Sequence, residues 1–263
     1  ALGRGHKVYI HANPHPLSFD FTLRNPYIFY AHDAFNAVKV AAPEQLASIY
    51  KSHTFRDEFR NNLSEDKIGA IFNGTWDKIE LDEVPITKLA KEADQDPLNW
   101  LFDQSIETQF VGKMYQNNDE GVAKLLSHPN AIIALSDAGA HVEFLCDAGF
   151  GLYFLQHWVN DTGTFSLPHA VHRLTSEPAT RYRIKQRGQI KKGYFADLVL
   201  FDPKNIGISK LYKLNDLPGQ GSRLMRNPKG IHGVWVNGTK VISNANNKPI
   251  QKGPGHILTE FDF

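Results

Sequence analysis

The hydrophobic pattern of the chain breaks most sharply at residues 131–141, AIIALSDAGAH, where five apolar residues run without polar alternation and stop on a carboxylate. Such a run suits a strand covered on both faces, as in a parallel α/β sheet. Gly139 frees the backbone to turn, so Asp137 is expected at the strand's carboxyl end, with His141 four residues further along the same loop. Ser-Asp-Ala-Gly is also ordinary turn chemistry after a strand, and this pattern alone does not choose between a turn and a site.

A second strand-like stretch, Val8, Tyr9 and Ile10, runs into His11-Ala-Asn-Pro-His15-Pro, whose prolines cannot continue a ladder. The prolines also forbid a helix that would bring His11 and His15 onto one face. His11 alone can sit at a strand end, or serve as a loop histidine bonded to backbone. Residues 18–130 read as mainly helical and loop-like. Pro43 opens one helix; Asp96 as N-cap and Pro97 at the first helical position open another, with Leu98, Leu101, Phe102 and Ile106 at helical spacing. Residues 67–72 offer a further strand, and 119–127 a short helix leading into the run at 131. Strand, helices, strand is the order of a βα barrel segment.

Beyond the central run, residues 149–159 are rich in aromatic side chains, and a helix is expected over about 166–175. His169 and His172 lie three apart on it, but Ala170, Val171 and Leu174 make it an amphipathic packing helix rather than a metal face. From Arg187 the texture becomes β-rich, with glycines punctuating short β-prone runs. Val-Trp-Val-Asn237-Gly238-Thr-Lys-Val-Ile reads as a hairpin, because Asn-Gly suits the two positive φ values of a type I′ turn.

Composition adds limits. With 263 residues, 41% hydrophobic and 22% charged, the chain can bury a sizeable core in one or two domains. Net charge is +1 with basic residues scattered, which gives a nucleic-acid or anionic-membrane partner no support. The single cysteine, Cys146, cannot form an internal disulfide, no apolar run approaches the roughly 20 residues of a membrane span, and no signal-peptide pattern opens the chain, so cytoplasm is the expectation. Twelve histidines is a high count for a residue type that binds metals and carries protons near neutral pH. The opening ALGRGHKVYIHANPHP lacks an initiator methionine and enters a strand almost at once, as a chain beginning partway through a fold would.

Taken together, Ser136-Asp-Ala-Gly-Ala-His141, Thr175-Ser-Glu-Pro-Ala179, Arg187-Gly-Gln-Ile-Lys-Lys-Gly-Tyr-Phe-Ala-Asp-Leu-Val-Leu-Phe-Asp-Pro203 and Val236-Asn-Gly238 resemble the C-terminal half of the amidohydrolase superfamily, in its N-acyl-D-amino-acid deacylase, or D-aminoacylase, branch. The stretch 14–27 also resembles the one that follows a middle barrel strand in some D-aminoacylase-like proteins. The resemblance implies an α/β fold: a partial (β/α)8 TIM-like barrel holding the C-terminal strands, with a helical insertion (1–186), then a small β-sandwich domain (187–263).

The chemistry it implies is hydrolysis of an amide C–N bond other than a peptide bond, in an N-acyl-D-amino acid, with one or two zinc-like ions binding a water at the barrel mouth. Asp137 would ligate the metal or contact its water and act as general base. His11 falls near a position where the superfamily places a metal histidine. His141 and Arg24 would contact a substrate carboxylate or a tetrahedral intermediate, or equally be surface residues. The implied partner is a small-molecule amide, with a homo-oligomer as an admissible assembly. The chain departs from the family in having no His-x-His pair and none of the sequence for the first barrel strands. Truncation explains this most simply, with weak or no metal binding by the 263 residues alone. The alternatives are a non-catalytic module that keeps the fold, or a cyclic-amide hydrolase of the hydantoinase or dihydropyrimidinase kind.

Overall fold

The apolar run forms the strand Ala131–Ile133, buried along its length, and pairs in parallel with Ile10–Ala12 in the register Ile10 to Ala131 and Ala12 to Ile133. The computed structural model describes residues 2–63, 69–115, 118–134, 140–243, 246–247 and 252–259. The chain divides into two compact units, one of residues 1–15, 118–140 and 146–263, the other of residues 16–117 and 141–145. The architecture is mixed α/β, and among the described residues no closed barrel forms.

In the first unit, helix Asp119–Leu126 leads into the buried strand, and its Asn118 cap accepts from Gly121 N at 3.1 Å. Helix Phe150–Tyr153 continues as the π-helix Phe154–Asp161, closed by the i to i+5 bond from Thr162 N to His157 O. Its inner face buries Phe154, Leu155 and Trp158 against Ala12, Leu126, Ile133 and Phe165. The expected helix near 166–175 is Leu167–Leu174, followed by Ser176–Arg181. Buried Arg173 donates to Ala131 O at 2.8 Å and pairs with Glu177 at 2.5 Å; Arg181 pairs with Glu177 and donates to Pro129 O. Glu177 therefore holds two arginines that clamp both helices onto the buried strand and its entry.

The β-rich half follows. Strands Asn246–Asn247, Thr239–Ser243, Ile231–Val236 and Leu198–Phe201 form an antiparallel sheet in that order, with Tyr212–Leu217 on Gly221–Met225 and Gly207–Ile208 on Pro228–Lys229 as separate pairs. The Asn237-Gly238 hairpin forms as read, with φ of 47° and 81°. Asp197 Oδ1 accepts from Asn237 N at 2.9 Å, while the Arg187 guanidinium pairs with Asp197 and donates to Asn237 Oδ1 at 3.1 Å. Gly188, at φ 79°, is required: a Cβ there would lie 2.9 Å from Thr175 O and 3.0 Å from Ser176 Cα and Ala179 Cβ. Three of the motifs that carried the resemblance thus meet in contacts that hold the fold.

In the second unit the reading of 18–130 as mainly helical and loop-like holds for most residues, but it does not anticipate a sheet. The helices at Pro43–Lys51 and Pro97–Asp103 form as expected, the latter with Asp96 Oδ1 accepting from Leu98 N and Asn99 N. However, Leu17–Thr22, Gln109–Tyr115, Ile79–Leu81 and Val84–Pro85 build a four-stranded antiparallel sheet beneath them. Two effects hid these strands. Ser18 and Asp20 are buried on Leu17–Thr22, so polarity does not mark its outer face, and Gly112 interrupts the alternation of Phe110 and Met114. Of the strand expected at 67–72, residues 67 and 68 lie outside the described residues and 69–72 form no strand. The core is an aromatic cluster centred on Phe29, Phe35, Phe59, Phe72 and Phe102.

Candidate functional site

The carboxyl end of the parallel pair is where side-chain chemistry gathers in the first unit. Ala134 N donates to Ala12 O at 3.1 Å, carrying the pairing one residue past Ile133. On the neighbouring chain Asn13 and His15 follow Ala12, both buried, and Asn13 Oδ1 accepts from His15 N at 3.0 Å. The Trp158 indole donates to Pro14 O at 2.8 Å and fixes the proline loop from behind. His15 Nδ1 lies 3.3 Å from Asp147 Oδ1, and both side chains are closed to solvent. The two groups lie at ion-pair distance, with the carboxylate facing the ring.

The ring of Tyr153 meets His15 edge to face, with centroids 4.3 Å apart, and stacks on His157 at 5.2 Å. Burial pushes the Tyr153 hydroxyl well above the usual phenol range, and the Asp119 and Asp161 carboxylates add to it. His157 bridges those two carboxylates, at 2.9 Å to Asp119 and 3.6 Å to Asp161. A row of polar rings therefore runs from the Asp147 carboxylate through His15, Tyr153 and His157. The sequence pattern keeps His11 as a candidate, dismisses only its pairing with His15, and does not single out Asp147. The one available signal was the pair of prolines bracketing His15, which fixes a loop at a strand's carboxyl end.

Asp137, the principal candidate, lies outside the described residues. His11 is exposed on its strand, and its Nε2 meets the Tyr182 hydroxyl at 2.6 Å. Arg24 and His141 belong to the other unit. Arg24 forms an exposed fork on Glu107, donating from Nε at 2.7 Å and from Nη2 to the same oxygen; the hydrogen bond and opposite charge raise the guanidinium and lower the carboxyl from their ordinary values. His141 is exposed at φ 51° with its ring on Phe144. Cys146 is half-buried, and burial pushes its thiol up, away from nucleophilic use. His172 bonds Ser176 Oγ at 2.7 Å and His169 packs on Phe165, so this pair serves packing. Among the described residues, no group of three or more His, Cys, Asp or Glu side chains could hold a metal ion.

A family model described as "Amidohydrolase family" matches residues 85–242. Among curated proteins, the chain is 35% identical over 108 residues to an N-acyl-D-aspartate deacylase of Alcaligenes xylosoxydans xylosoxydans, covering 41% of this chain and 20% of that protein. It is 33% identical over 143 residues to a D-aminoacylase of the same organism, covering 53% of this chain and 28% of that protein. The matches thus span less than a third of these relatives' length. Among solved structures, an N-acyl-D-glutamate deacylase from Bordetella bronchiseptica complexed with zinc and a phosphonate inhibitor aligns with 98% of this chain and 44% of its own, at 19% identity and a TM-score of 0.46. A D-aminoacylase crystal structure aligns with 62% of this chain and 32% of its own, at 25% identity and a TM-score of 0.40.

Proposed function

This chain belongs to the amidohydrolase family, and on that premise we propose that it is the C-terminal part of an enzyme that hydrolyses the amide bond of an N-acyl-D-amino acid. Two curated relatives that act as an N-acyl-D-aspartate deacylase and a D-aminoacylase support the substrate class. The observation that carries the reading is the parallel pairing of Ile10–Ala12 with Ala131–Ile133, since chemistry in an α/β barrel gathers at the carboxyl ends of parallel strands and Asp137 follows the second of them. In this reading the pair belongs to the last strands of a barrel, residues 16–117 are an insertion between them, and residues from 187 onward contribute to a β-sandwich.

Asp137 is assigned the role of general base: it takes the proton of the attacking water and returns it to the leaving amine. His141 offers an N–H to the substrate carboxylate, and Arg24 would do so by exchanging Glu107 for it. The family reading includes one or two divalent ions, zinc among them, with Asp137 and His11 as candidate ligands; bound, they would activate the water. The described residues do not themselves build a site that fits an ion, so no step assigned here runs through one. Asp137→Asn in the full-length protein is expected to lower kcat on N-acetyl-D-aspartate by about 100- to 10,000-fold while leaving the circular dichroism spectrum unchanged. Retained turnover would remove the assignment.

A further inference from the structure

Residues 141–145 pack within the same unit as residues 16–117, where the ring of Phe144 stacks on the exposed imidazole of His141. The His141 backbone sits at φ 51°, in the left-handed region that histidine enters more readily than most residues with side chains. The His141 carbonyl accepts from Phe144 N and Leu145 N, each at 3.0 Å, and the turn this closes lays the imidazole against the Phe144 ring, with centroids 4.9 Å apart and planes 21° apart.

Phe144 is itself fastened at two points. Its carbonyl accepts from Asp20 N at 2.9 Å, and its ring lies 4.9 Å from that of Tyr27. The Tyr27 hydroxyl donates to Asp20 O at 3.0 Å, so the backbone of Asp20 anchors both rings, and Leu145 at the far end of the turn is buried. Among the described residues, neither nitrogen of the His141 ring has a hydrogen-bond partner. An exposed ring fixed by stacking on this turn loses little rotamer freedom when it binds.

We propose that Phe144 and Tyr27 are positioning residues that hold the His141 imidazole for the carboxylate of an N-acyl amino acid; this rests on the reading of His141 as a substrate contact. Tyr27 and the backbone of Asp20, acting through Phe144, then set the placement of this recognition group. Either tautomer of the imidazole supplies the required N–H.

The test uses the intact protein. Phe144→Leu is expected to raise KM for N-acetyl-D-aspartate about tenfold with kcat changed less than about twofold. It should also move the His141 Hε1 resonance as the Phe144 ring current is lost, and Phe144→Tyr should restore both. An unmoved His141 resonance, or a fall in kcat at unchanged KM, overturns the proposal. If Phe144→Leu does not fold, Tyr27→Phe serves the same resonance test: it keeps the ring, removes only the bond to Asp20 O, and should shift His141 in the same sense by less. An unmoved resonance there counts against the proposal equally. His141→Ala separates the two levels, since an unchanged KM in that variant refutes the substrate-contact reading itself, whatever Phe144→Leu does.

Discussion

His15 and Asp147 show how much a single residue's surroundings decide. A histidine and a carboxylate 3.3 Å apart and closed to solvent depend on each other, because removing one leaves the other's polarity or charge buried. His15→Leu is therefore expected to cost about 3 kcal/mol in urea unfolding, and adding Asp147→Leu should recover much of that loss. If the double variant is as unstable as the sum of the two singles, the pair is not coupled. At this scale the sequence was partly legible. Asp96 announced its capping bond two and three residues ahead, because a cap is local. The His15 pairing was not legible, since its partner lies 132 positions away and no local pattern encodes that contact. Asp137 could be read as a candidate from the abrupt end of an apolar run, and that reading still rests on the sequence.

Elements were legible where their pattern is complete within one stretch. The buried strand Ala131–Ile133, helix Leu167–Leu174 and the Asn-Gly hairpin each carry their own period or turn chemistry. Leu17–Thr22 and Gln109–Tyr115 did not, because their pairing is long-range and their polar or glycine positions blur the two-residue period. The hairpin also shows what a family motif does physically. Burial opposes ionisation of Asp197, but the bond from Asn237 N and the Arg187 guanidinium outweigh it and hold the carboxyl below the usual range. As pH falls, the unfolded chain therefore binds this proton first. The stabilisation is full above the ordinary carboxylate value of about 4 and is lost as pH drops through the lowered folded value. Asp197→Asn should lower the melting temperature at pH 7 and flatten its dependence on pH below about 4. A variant that keeps the wild-type slope there would show that Asp197 does not carry it.

For the whole molecule, the chain holds two cores rather than one, and their placement in sequence explains why the second was hard to foresee. The unit that contains the parallel strands is drawn from three separate stretches, 1–15, 118–140 and 146–263, so its strands pair across about a hundred intervening residues. Those intervening residues form a complete fold of their own. Every member of their buried cluster, from Phe21 to Met114, lies between residues 16 and 117, and none comes from the 141–145 segment that packs with them. A stretch of this size with its own aromatic core and a four-stranded sheet has what an independent domain needs. Residues 16–117 expressed alone should therefore unfold in a single cooperative urea transition and keep the near-ultraviolet dichroism of the packed phenylalanines and Tyr50. A gradual, non-cooperative loss of signal would mean that the core depends on the rest of the chain. Adding a peptide of residues 141–145 to this fragment should leave its transition midpoint almost unchanged, because that segment is held by the bond from Asp20 N to Phe144 O and the contact of Phe144 with Tyr27, and contributes nothing to the central cluster.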